Sequence, residues 1–191
     1  MEYRMFTRIG IIIFGLAIIT GPLYTVENYH FLSDTISELG AQNTRNNFIA
    51  IIGFISFGLG IVIDWIRHPS TFRIPFLLFG AGMLLAGIFP HKPIDPTTDF
   101  SATIDSLHSL LATLSGIAIT VGFLQFTLFP PPKAPRLLSG YMASLCFFVP
   151  IAMFSFPEYA GILQRCMYAH VFVWLWFFSA QDFPYNSKSA S

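Results

Sequence analysis

Six uninterrupted apolar stretches, each close to a bilayer's thickness in helical length, govern what this chain can become. They run over 7–26, 47–66, 72–90, 107–129, 137–156 and 160–180. A helix needs about 20 apolar residues to cross the hydrocarbon core. Charges inside the stretches are few, and Arg8, Asp64, Arg73 and Arg165 lie mostly near their ends. Lipid offers backbone N–H and C=O groups no partner, so only helices and closed barrels span it. These runs are continuous rather than alternating, which selects helices. The expected fold is an all-α integral membrane protein, a bundle of six transmembrane helices forming a single domain over residues 1–191. The first stretch reads on into Gly21-Pro22-Leu23-Tyr24, is too long for a secretory signal and has no small-residue cleavage site after it, so it is expected to be retained.

Composition removes the alternatives. Charged residues are 10% of the chain, against roughly 25% in soluble domains. The formal net charge is zero, and no basic stripe exists to hold a nucleic-acid backbone. Cys146 and Cys166 both fall in apolar stretches and form neither a disulfide framework nor a paired-cysteine metal motif.

The bias of Lys and Arg sets the orientation. With the N-terminus inside, Arg4, Arg8, Arg67, Arg73, Lys133, Arg136 and Lys188 are cytoplasmic, while Arg45, Lys92 and Arg165 are outside. Most acids lie outside (Glu27, Asp34, Glu38, Asp95, Asp99, Asp105, Glu158), with Glu2, Asp64 and Asp182 inside. Both termini are therefore expected in the cytoplasm, and the chain in the cytoplasmic membrane among its lipids. Small residues four apart (Ser56 and Gly60, Gly82 and Ala86, Ala112 and Gly116) predict close helix approach, or a homodimer face.

The inner connections are short, and the first two outer ones, 27–46 and 91–106, are longer and polar. The first carries His30, then Ser33-Asp34-Thr35-Ile36-Ser37-Glu38-Leu39-Gly40. Ser33 or Thr35 can cap a helix, Thr35-x-x-Glu38 fits a capping box, and Gly40 fits a stop, so a short surface helix is expected. Asp34 and Glu38 then share a face, as do Ser33 and Ser37. Asn43, Asn46 and Asn47 precede the next helix, whose N–H groups would favour an anion. The second outer loop holds His91, Lys92, Asp95 and Asp99, and Asp105 and His108 follow three apart on one helical face, continued by Ala112 and Ser115.

The candidate catalytic residues are Ser33, Asp34, Asp105 and His108, because a carboxylate can orient an imidazole as a base. Candidate ligand-binding residues are Ser37, Glu38, Asn43, His91 and Asp95, with Arg165 and His170 from the last stretch. His170 lies about ten residues into that stretch, and an ionisable group at such depth is a functional candidate. His30, His91 and His108 supply nitrogen donors that suit zinc, although their spacing is no recognised zinc signature. No phosphate loop, G-x-S-x-G or H-E-x-x-H occurs.

SDTISELGA after the first stretch, FPHKPID after the third and His108 at the start of the fourth resemble a prokaryotic family of six-helix membrane proteins, catalogued as domain of unknown function nine-nine-eight. The resemblance covers nearly the whole chain. It implies a six-helix membrane fold with polar outer loops and no established activity. A weaker, partial similarity is to the membrane hydrolases that include alkaline ceramidases and adiponectin-receptor-like proteins. It implies a Ser, an Asp and three zinc histidines. Ser33, Asp105, His108 and His170 fit, but the H-x-x-x-H pair on the last helix is missing, as is one helix.

Three functions follow. One is an outer-face site for a lipid headgroup or other polar ligand. The second is a membrane-embedded hydrolase acting on lipid, with or without a metal. The third is a small ion-coupled transporter, against which stands the thin set of mid-membrane polar residues, His170, Ser115, Thr120 and Ser144.

Overall fold

The structure, a computed structural model, describes residues 4–26, 28–131 and 134–178. Among them no strand occurs, and there are seven α-helices: α1 (Met5–Tyr24), α2 (Ile36–Leu39), α3 (Phe48–Arg67), α4 (Ile74–Ile88), α5 (Ala102–Leu128), α6 (Arg136–Ser155) and α7 (Ala160–Phe178). Glu2, Glu27, Lys133, Asp182 and Lys188, which entered the charge count, lie outside the described residues, as do the end of the last expected span and the C-terminus.

Each expected stretch coincides with one long helix, with shifted ends. α5 starts five residues before the apolar run because Ser101 caps it, its hydroxyl accepting from Ile104 N–H at 3.5 Å, and Asp105 in the first turn suits the positive end of the helix. α4 is shorter than expected, because Thr71–Arg73 is spent on a 3₁₀ turn and Pro90 follows its end. Helices α1, α3, α5 and α6 are long and apolar enough to cross a membrane, and α4 is apolar over 15 residues. α7, 19 residues long, carries Gln164, Arg165 and His170.

The long helices pack in sequence, each on the next, and α7 returns to α1. Glycines permit this. A Cβ at Gly10 would stand 2.7 Å from Ser56 O, and one at Gly58 would stand 2.5 Å from Gly80 O. Gly60 lies against the backbone of Phe6, and Gly82 against Ser115 Oγ. Two of the three small-residue pairs thus line helix contacts. The third does not: a Cβ on Gly116 would meet nothing within 4 Å, and Ala112 is exposed.

Aromatic rings fill the interior. Trp174 stacks on Phe76 at 5.4 Å with an interplanar angle of 4°, while Phe123 and Phe126 meet it edge-on. Its indole N–H donates to buried Ser139 Oγ at 3.3 Å, which satisfies the one polar atom of the ring. A second cluster joins Phe14, Phe54, Phe57 and Phe172. The outward faces are apolar as well: Ile19, Leu23, Leu137 and Phe154 are 70–91% exposed. In water such a surface would aggregate.

One end of the bundle is basic. Thr7 N–H donates to buried Asp64 Oδ2 at 2.7 Å, tying the start of α1 to the end of α3. Arg8 donates to Trp176 O at 3.1 Å and lies over its ring, Arg67 lies over Phe6, and Arg73 over Trp65. At the other end α2 packs on α1, α3 and α7 as a plug.

Candidate active site at the non-basic end

The plug is built by its own sequence. Glu38 Oε2 accepts from Thr35 N–H at 2.5 Å and from Thr35 Oγ1 at 2.9 Å, the expected capping box. Ile36 and Leu39 are buried beneath it, and Ile36 N–H donates to Gln164 Oε1 at 2.6 Å. Two buried side chains and one long-range hydrogen bond hold a single helical turn that would not persist alone.

That turn presents Ser37 to His108 of α5. His108 is 3% exposed. Its Nδ1 lies 3.0 Å from Ala86 O and 2.8 Å from Phe89 O, and its Nε2 lies 2.9 Å from Ser37 Oγ. Carbonyl oxygens only accept, so Nδ1 carries the proton and donates to the end of α4. In the neutral ring Nε2 is then a lone pair that accepts from the Ser37 O–H. The result is a hydroxyl on a base whose tautomer is set by a third group, the arrangement that activates a serine nucleophile. Two backbone carbonyls occupy the place a carboxylate takes elsewhere.

Asp105 does not orient His108, contrary to the shared-face expectation. It turns to the second loop instead. Its Oδ1 lies 2.6 Å from His91 Nδ1 and accepts from Lys92 N–H at 2.9 Å. The His91 and His108 rings are 5.2 Å apart. Burial lowers the His91 pKa from its ordinary value, with His108 adding to the effect and Asp105 opposing it. Burial raises the pKa of Glu38, opposed by its bonds from Thr35.

The two outer loops meet through a residue the sequence did not single out. Gln42 is buried, its backbone N–H donates to His91 O at 2.8 Å, its Oε1 accepts from Ser101 N–H at 2.8 Å, and its Nε2 donates to Pro90 O and Ser101 O. Nothing in local spacing marks it, since its side-chain partners are 48 and 59 residues away.

The remaining candidates build the loops. Ser33 Oγ donates to Asp34 Oδ1 at 2.9 Å, and Asp34 Oδ2 accepts from His30 N–H at 2.7 Å, closing a local turn. Asn43, at φ 54°, donates to Asp99 O at 2.7 Å. Asp95 accepts from Thr97 N–H and Oγ1, and these bonds hold its carboxyl below the usual range. Arg165 is buried and donates to Phe31 O at 3.0 Å, Asp34 O at 2.8 Å and Tyr29 Oη. It fastens the first loop to α7 instead of pairing with an acid. Burial pushes the Tyr29 hydroxyl up to about 12. His170 is exposed, and its Nδ1 donates to Cys166 O of its own helix at 2.7 Å. It is not gathered with the loop residues.

The expected zinc set is not assembled. His30 is exposed on the first loop, and both ring nitrogens of His108 already have partners. Among the described residues no group of three or more His, Cys, Asp or Glu side chains is placed to hold a metal ion. The ceramidase-like set of Ser33, Asp105, His108 and His170 is likewise not brought together.

Stacked apolar helices with an apolar exterior, crowned by polar loops that converge on one histidine, define a helical protein of the membrane class. Within that class, the chain belongs to the family described as "Protein of unknown function (DUF998)", which matches residues 9–181. No curated protein and no solved structure matches it.

Proposed function

We propose that this is a six-span protein of the cytoplasmic membrane, with both termini cytoplasmic, that carries out acyl transfer or hydrolysis on a lipid at its outer face, with Ser37 as nucleophile and His108 as base. The observation that carries this reading is the contact of Ser37 Oγ with His108 Nε2 at 2.9 Å while Nδ1 is held by two carbonyls. Support for the orientation comes from the basic residues gathered at the opposite end, as the positive-inside rule requires.

In the reaction Ser37 Oγ attacks an acyl carbonyl and its proton passes to His108 Nε2. The imidazolium that forms keeps a partner on each nitrogen, and the Ala86 and Phe89 carbonyls stabilise its charge. The proton then leaves on the alcohol of the departing headgroup. Water or a second alcohol releases the acyl group from Ser37 by the reverse path. Lys92, exposed and next to His91 in the chain, supplies a counter-charge for a phosphate-bearing headgroup. Lipid headgroup binding is thus the first step of the same reading.

The test is labelling of the detergent-purified protein with a fluorophosphonate, with the modified residue mapped by mass spectrometry. Ser37 is expected to carry the label, and Ser37→Ala and His108→Gln to lose it. Labelling that is absent from Ser37, or unchanged in His108→Gln, overturns the assignment.

A further inference from the structure

A groove runs down the outside of the bundle between α5 and α6. Its lower part, of about 830 Å³, opens between Thr120, Leu124, Gly140 and Phe148. Its upper part, of about 420 Å³, reaches Gly116 and Pro150, and the two share Thr120 and Phe147. Both volumes lie in the roughly 300–1,000 Å³ range of ligand sites. The walls are apolar, and the hydroxyls of Thr120, Thr127 and Ser144 are turned back onto carbonyls of their own helices. The groove is therefore dry in character. Among the described residues its one charged lining residue is Arg136, which is exposed at the first turn of α6, at the basic end of the bundle.

We infer that this groove holds one phospholipid of the cytoplasmic leaflet, its acyl chain along α5 and α6 and its anionic headgroup on Arg136. Charge and length both select this occupant. From Arg136 to Pro150 the helix rises about 21 Å at 1.5 Å per residue. One leaflet contributes about 15 Å of hydrocarbon, so the groove accepts a whole chain. A small-residue pair that packs no helix also finds its purpose here: Ala112 and Gly116 leave room that a neighbouring helix does not fill. The inference rests on the membrane reading and not on the chemistry of Ser37.

The test is native mass spectrometry of the protein purified in detergent, then titrated with phosphatidylglycerol or phosphatidylethanolamine. The wild type is expected to retain one lipid and to prefer phosphatidylglycerol by about fivefold, the effect of one basic residue near a membrane surface. Arg136→Gln abolishes the preference and keeps the lipid. Gly116→Leu, at a position where a Cβ meets nothing within 4 Å, projects into the groove and loses the lipid. Gly15→Leu, also at a position where a Cβ meets nothing within 4 Å but on α1, keeps it. Equal lipid retention by Gly116→Leu and wild type overturns the inference. So does a lipid-free dimer that Gly116→Leu converts to monomer, because a second copy would then be the occupant. A protein that is soluble without detergent would instead refute the membrane reading itself.

Discussion

Gln42 grips Ser101 by both ends of its amide: Oε1 accepts the Ser101 N–H at 2.8 Å, and Nε2 donates to the Ser101 carbonyl at 3.2 Å. Ser101 caps α5, the helix that carries His108 seven residues further on. One buried side chain of the first loop therefore fixes where the second loop ends and where the base of the Ser37 pair begins.

Replacing Gln42 by Leu should remove the three side-chain hydrogen bonds that join the two loops, at a cost of about 0.5–1.5 kcal/mol each. Denaturant titration in detergent measures this loss. The same variant should weaken fluorophosphonate labelling of Ser37, because the start of α5 is no longer held against the first loop. Full stability together with full labelling would show that the Gln42 bridge is dispensable.

Gly58 and Gly15 separate packing from propensity. A Cβ on Gly58 would collide with backbone of α4, which cannot swing aside as a side chain can. Gly58→Ala is expected to cost about 2–3 kcal/mol. Gly15→Ala meets open space and should stabilise the helix by up to about 1 kcal/mol. Thermal unfolding of the two variants side by side should move in opposite directions.

Arg165 donates to two carbonyls and a phenol hydroxyl of the first loop, a forked pattern that the single ammonium of lysine cannot reproduce. Arg165→Met should destabilise by about 2–3 kcal/mol and speed proteolysis within residues 28–35. Arg165→Lys should recover only part of the protection. Limited proteolysis with mapped cleavage sites reads both outcomes, and unaltered cleavage in Arg165→Met would show that the loop stands without this clamp.

Glu38 and His91 set opposing pH dependences. The folded pKa of Glu38 lies above 4.5, so the fold favours its protonated form. That contribution is fully present below pH 4.5 and is lost as pH rises through the folded value. His91 has a folded pKa below 6.5, so its contribution is present above pH 6.5 and is lost as pH falls through the folded value. Glu38→Gln should flatten the decline of stability above pH 4.5, and His91→Gln the decline below pH 6.5. Unfolding measured from pH 4 to 8 tests both, and unchanged profiles would contradict the shifts.

The six long helices were legible because each depends on its own composition: an apolar run near 20 residues long, with a cap or proline at its edge, needs no distant residue to declare itself. The Thr35–Glu38 box was legible for the same reason, since donor and acceptor stand three residues apart. The pairing of Ser37 with His108 was not. Both residues were candidates, but Asp105 was the nearer carboxylate in sequence, and only the fold turns it toward His91 while α4 brings two carbonyls to Nδ1. Gln42 was silent for a like reason, its partners being distant in the chain. Ala112 and Gly116 read as a helix contact by spacing alone, because small residues four apart look the same whether a helix or a void faces them. Local hydrophobicity and capping thus determined which segments are helical. Tertiary structure decided which polar atoms meet, because a hydrogen bond depends on the position and direction of groups that sequence proximity does not specify.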